Sequence, residues 1–89
     1  MVRVTSVEVL QGYRLRLAFN DGTQRVVDLS SELSGPIFEP LRNPTVFRQV
    51  RVDEELGTIV WPNGADIAPE ALYSDFLEPP GDRRRAAAG

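Results

Sequence analysis

Apolar and polar residues alternate most sharply between Tyr13 and Phe19, where Tyr13, Leu15, Leu17 and Phe19 interleave with Arg14, Arg16 and Ala18. A period of two is the mark of a β-strand with one buried face. Leu10-Gln11-Gly12 precedes this strand and Asn20-Asp21-Gly22 follows it. Both suit three-residue hairpin loops in which the final glycine supplies a left-handed conformation. Residues 2–29 are therefore expected to form a three-stranded antiparallel meander. Such loops set Val9 opposite Tyr13, Val7 opposite Leu15, Leu15 opposite Val27 and Tyr13 opposite Leu29. The second face then carries Glu8, Arg14 and Asp28 in one row, with neighbouring opposite charges worth about 0.2–1 kcal/mol per pair. Val4, Ala18 and Val26 share that face. Two-residue loops would set Glu8 and Asp28 against Leu15 and mix the faces, so the longer loops are favoured.

From Ser30 the pattern changes. Ser30 to Pro36 is turn-rich, and Pro36 to Leu41 suits a single helical turn opened by proline. Asn43-Pro44-Thr45-Val46-Phe47-Arg48-Gln49 reads as a short helix with Asn43 as N-cap and Pro44 at the first helical position. Phe38, Leu41 and Phe47 are the apolar residues of this turn-and-helix segment, expected to cap the sheet. Val50–Asp53 and Thr58–Trp61 form a second hairpin around Glu54-Glu55-Leu56-Gly57, and Pro62-Asn63-Gly64 ends it with a turn. Ala68 to Tyr73 is expected as a last short helix, with Leu72 and Tyr73 packing back. The fold class is α+β: an antiparallel three-stranded meander, short helices, then a second β-hairpin and a short C-terminal helix. One domain is expected over residues 1–77. Residues 78–89, rich in Pro, Arg and Ala, are expected as a disordered tail.

Composition narrows the chemistry. The 89 residues contain no Cys and no His, which removes thiolate zinc sites, disulfides and the usual general base near neutral pH. All ten cations are Arg, and the net charge is −3. Up to Leu77 there are seven Arg against eleven acids, an acidic body that complements a basic protein partner better than nucleic acid. Carboxylates remain for catalysis, but Glu39, Asp53, Glu54, Glu55, Asp66 and Glu70 show no spacing that would converge two of them across a cleft. A non-enzymatic protein without cofactor or metal is expected. No apolar run reaches the roughly 18–20 residues needed to span a bilayer, and the N-terminus lacks a signal-peptide pattern. A cytoplasmic location is expected.

The stretches Phe38-Glu39-Pro40-Leu41-Arg42-Asn43-Pro44-Thr45-Val46-Phe47, Val50-Arg51-Val52-Asp53 and Gly57-Thr58-Ile59-Val60-Trp61-Pro62-Asn63-Gly64-Ala65-Asp66-Ile67-Ala68-Pro69-Glu70-Ala71-Leu72-Tyr73 resemble the DUF2442 family, over about residues 2–76. Its structural representative is the N-terminal domain of a Nitrosomonas protein. The resemblance implies a small bacterial α+β protein of unassigned biochemical role. Family members are often encoded beside another small protein, DUF4160, in a layout like that of toxin–antitoxin pairs. A basic DUF4160-like protein is thus the implied partner. Some members are fused to a DNA-binding helix-turn-helix, for which this sequence is too short.

Four residues stand out as a candidate interaction surface: Trp61, Asn63, Asp66 and Tyr73. An aromatic anchor beside a few polar groups at a strand end is the usual make-up of an interface hot spot. Each also has a structural explanation. Trp61 suits the core if its N–H finds a partner. Asn63 suits the turn. Asp66 suits a cap on the backbone N–H groups around Pro69. The alternative function is that of a nucleic-acid-associated regulator using the arginine face and tail.

Overall fold

Three strands, β1 (Val4–Val9), β2 (Arg14–Phe19) and β3 (Gln24–Asp28), form an antiparallel meander in that order. The computed structural model describes residues 1–76, and the expected tail over 78–89 lies outside the described residues. The β2–β3 register is the one expected, with Leu15 opposite Val27 and the Leu29 N–H donating to the Tyr13 carbonyl at 3.0 Å. The loop Asn20-Asp21-Gly22 joins them, with Gly22 at φ +87°.

The β1–β2 register differs from expectation by two residues. Val9 faces Leu15 and Val7 faces Leu17, and the Leu10 N–H donates to the Arg14 carbonyl. A two-residue slip leaves every side chain on its own face, so alternation cannot choose between the two registers. Tyr13 leaves the ladder with β1 and joins the turn. Its ring packs edge-on against Phe47 at 5.1 Å, and its hydroxyl donates to the Arg42 carbonyl. The single expected charge row therefore becomes two pairs: Glu8 faces Arg16, ion-paired at 2.6 Å, and Arg14 faces Asp28.

Val4 is a second correction. The register breaks between Val4 and Ser6, and this bulge turns Val4 to the inner face, where it is buried opposite Phe19.

The 3-10 turns Ser30–Glu32 and Glu39–Arg42 lead into α1 (Pro44–Phe47). As expected, the Asn43 side chain caps α1 by accepting from the Thr45 N–H at 2.9 Å, with Pro44 next. Strands β4 (Arg51–Asp53) and β5 (Thr58–Val60) pair with Asp53 opposite Thr58. The Asp53 carboxylate organises the connecting loop by accepting from the N–H groups of Glu55 and Leu56. The two sheets meet where the Val4 N–H donates to the Gly57 carbonyl at 2.9 Å. The last helix, α2 (Pro69–Ser74), buries Leu72, and just beyond it the Phe76 carbonyl accepts from the Asp28 N–H at the outer edge of β3.

One core joins these parts. Leu15, Leu17, Phe19, Val27 and Leu29 from the meander pack with Leu33, Leu41, Phe47, Ile59, Trp61 and Leu72. Trp61 is only 2% exposed, tilts against Phe47 at 5.9 Å and donates its Nε1–H to the Phe47 carbonyl at 3.0 Å. Truncating a buried Trp removes both transfer free energy and packing. Trp61→Ala should cost about 3–5 kcal/mol, a large part of the roughly 5–15 kcal/mol that holds such a domain together. Trp61→Phe retains an aromatic but loses the indole hydrogen bond, leaving the Phe47 carbonyl with the Val50 N–H at 3.3 Å, at about 0.5–1.5 kcal/mol. Urea unfolding followed by far-UV circular dichroism should rank wild type above Trp61→Phe and Trp61→Ala last.

Candidate interaction surface

Trp61 starts a tight reversal. Its N–H donates to the Ala65 carbonyl, its own carbonyl accepts from the Gly64 N–H, and Gly64 sits at φ +92°. A left-handed residue here suits glycine, because a Cβ would strain against its own backbone. The chain then pairs back on β5, with Asp66 opposite Val60.

The four candidate residues do not converge. Trp61 is core, so its ring is not part of a surface. Asn63 is exposed and fixes the turn from both ends: its Oδ1 accepts from the Ala65 N–H at 3.1 Å, and its Nδ2 donates to the Ile37 carbonyl at 2.8 Å. Asp66 is also exposed. It is not the helix cap expected: residue Ala68 occupies the N-cap of α2, and no side chain bonds there. The physical reason is that the Asp66 backbone is held in the bridge to Val60, on the edge of β5 away from β4, two residues short of the N-cap position. Because Val60 faces Arg51 on its other side, Arg51, Val60 and Asp66 form one row, with the two charges two strand spacings, roughly 10 Å, apart.

Tyr73 belongs to another contact. Its ring meets Phe19 edge-on at 4.9 Å, the Arg25 guanidinium lies over it at 4.9 Å, and its hydroxyl donates to Asp21 at 2.7 Å. This locks α2 onto the β2–β3 loop.

What remains on the surface around Asn63 is Ile37, a large apolar residue left 45% exposed. Its carbonyl is pinned by Asn63, so the side chain is presented on restrained backbone. Ile37 and Asn63 are thus joined on the surface, and Asp66 is exposed three residues beyond Asn63, where the reversal after Trp61 pairs back on β5. Ile37 carried no signal in sequence, since its backbone is restrained by a contact 26 residues away. No group of three acidic residues with metal-binding geometry occurs among the described residues. No helix among them is long and apolar enough to cross a membrane.

The pattern of the family described as "Protein of unknown function (DUF2442)" matches residues 4–78. The chain belongs to the DUF2442 family. The crystal structure of "Putative DNA Binding Protein NE0471" from Nitrosomonas europaea ATCC 19718 superimposes with a TM-score of 0.63 at 32% identity. The likeness covers 70% of this chain and 41% of that one, so the chain spans less than half of that protein. No curated protein matches.

One charge in the Tyr73 contact is displaced from its ordinary behaviour. Hydrogen bonds from the Tyr73 hydroxyl and then from the Thr23 side chain and backbone hold the Asp21 carboxyl down to about 2, from an ordinary 3.8. A depressed carboxyl stabilises the fold in full above its unfolded value, and that contribution fades as pH falls from about 4 towards 2. Tyr73→Phe should remove the largest cause. The melting temperature of the variant should drop less steeply than that of wild type over this acid range.

Proposed function

We propose that this DUF2442 domain acts by binding another protein, with Ile37, Asn63 and Asp66 as the contact surface. The observation that carries it is the exposed Ile37 fixed by the Asn63 side chain. An apolar group presented on ordered backbone loses little conformational freedom when it is covered, which favours association. The acidic body adds long-range attraction for a basic partner. The gene layout implied by the family resemblance supports a regulatory or neutralising role in a two-gene pair, with a basic DUF4160-like protein as the other half. The protein on this reading is a binding module and performs no catalysis.

Affinity capture from the native host tests it. Wild type should retain one stoichiometric partner. Ile37→Asp and Asp66→Ala, both on exposed positions and both checked for folding by circular dichroism, should retain at least tenfold less, as expected when a contact worth about 1.4 kcal/mol is lost. Equal retention by all three proteins would remove this surface from the reading.

A second reading has one observation behind it. Between Leu41 and Val52 stand Arg42, Arg48 and Arg51 without a single acid, and among the described residues no carboxylate lies within ion-pair distance of Arg48 or Arg51. Together with the name of the Nitrosomonas protein, this favours contact with nucleic-acid phosphates. Three such contacts give an affinity that falls with a log–log salt slope of roughly −2 to −3. Gel-shift titrations of duplex DNA at increasing salt should show that slope, reduced by about one in Arg51→Gln. Absence of binding at low salt would dismiss the reading.

A further inference from the structure

Arg3 and Glu54 line one concavity of about 290 Å³, where the start of β1 faces the end of β4. Val4, Thr5, Asn20 and Val52 complete its walls. The arrangement of its charges is unusual. Arg3 spends one nitrogen on the β4–β5 loop: Nη2 donates to the backbone carbonyls of Glu54, at 2.6 Å, and Glu55, at 3.4 Å. It makes no ion pair with either carboxylate, and its Nε–H and Nη1–H groups have no hydrogen-bond partner among the described residues. The Glu54 side chain likewise makes no hydrogen bond or ion pair among the described residues.

The cation is nevertheless held in place. Gly57 lies flat beneath it at φ +70°, and a Cβ at that position would sit 2.6 Å from the Arg3 Cζ. Only glycine lets the guanidinium settle on the loop. The backbone of Arg3 is fixed as well: its N–H donates to the Asn20 Oδ1, and its carbonyl accepts from the Asn20 N–H, each at 2.9 Å. The Asn20 Nδ2 also donates to the Met1 carbonyl. A held cation, the residue that bears an uncommitted carboxylate and the half-buried Val52 therefore line one small cleft.

We propose that this cleft binds a free aliphatic α-amino acid. The carboxylate of such a ligand suits the N–H groups of Arg3 that the loop leaves unused, its ammonium suits the Glu54 side chain, and an aliphatic side chain suits Val52. Charge-assisted hydrogen bonds of this kind are the strong ones, and a zwitterion satisfies both charges together without leaving a net charge in the cleft. The volume lies at the small end of the range for ligand pockets, which excludes a large cofactor and fits an amino acid. This site shares no residue with the Ile37, Asn63 and Asp66 surface and does not depend on it.

Isothermal titration of the full chain with L-valine tests the proposal, alongside N-acetyl-L-valine and L-valinamide, each of which lacks one of the two charges. L-Valine should bind, and each blocked analogue should bind at least tenfold more weakly. In Glu54→Gln, whose side chain supports nothing else, valine should lose at least tenfold while N-acetyl-L-valine binds as it does to wild type. Amide chemical-shift changes should centre on Arg3, Thr5, Asn20 and Val52. Blocked analogues that bind as well as valine would overturn the proposal. So would shifts centred elsewhere, or the lack of any heat or shift change at about 10 mM ligand.

Discussion

The hydrogen bond from the Trp61 indole to the Phe47 carbonyl is the constraint on which the rest depends. The meander and the second hairpin are separate sheets, and the bond between Val4 and Gly57 joins their backbones directly. Something else must hold the second hairpin in register with the helical segment between them. Trp61 does so, because a buried indole N–H without an acceptor would be costly and the acceptor sits at the end of α1. Phe47 passes the contact on to Tyr13, which reaches the first sheet. Three aromatic rings thus tie meander, helix and hairpin into one core.

The surface features follow from that anchor. With Trp61 fixed, the reversal over Pro62-Asn63-Gly64 has one arrangement, and Asn63 projects to the Ile37 carbonyl. The loop between β2 and β3 plays a parallel part at the other end: Asn20 holds the N-terminal segment through Met1 and Arg3, while Asp21 holds α2 through Tyr73. One short loop therefore secures both ends of the described chain, and it also places Arg3 over Gly57. Rigid positioning of Ile37 and of Arg3 has the same origin, the commitment of asparagine side chains to distant backbone.

Local chemistry was legible in the sequence and long-range choices were not. The β2–β3 register, the Asn43 cap with Pro44, the β4–β5 hairpin and the glycine turn after Trp61 each follow from residues within a few positions of one another. The β1–β2 register could not be read, because a slip of two preserves the faces and the decision lies with Tyr13 and its partners near α1. Val4 was assigned to the outer face because a bulge is invisible to strict alternation. Asp66 resembled a cap by its spacing from Pro69, yet pairing with Val60 claimed its backbone first. Of the four singled-out residues, Trp61 is core, Tyr73 a latch, and Asn63 and Asp66 remain on the surface. Ile37 and the pairing of Arg3 with Glu54 in one cleft depend on contacts across 26 and 51 positions, which no local pattern encodes.

The most direct test of the central claim is hydrogen exchange at the Trp61 indole, followed by NMR in native buffer and at low urea. If Trp61 anchors the fold, its indole proton and the Gly64 amide should exchange only through global unfolding, with the same free energy and the same urea dependence as the amides of Leu15 and Val27. An indole proton that exchanges far faster than those strand amides, with no urea dependence, would show that the hairpin opens on its own. The fold would then rest on the meander and not on Trp61.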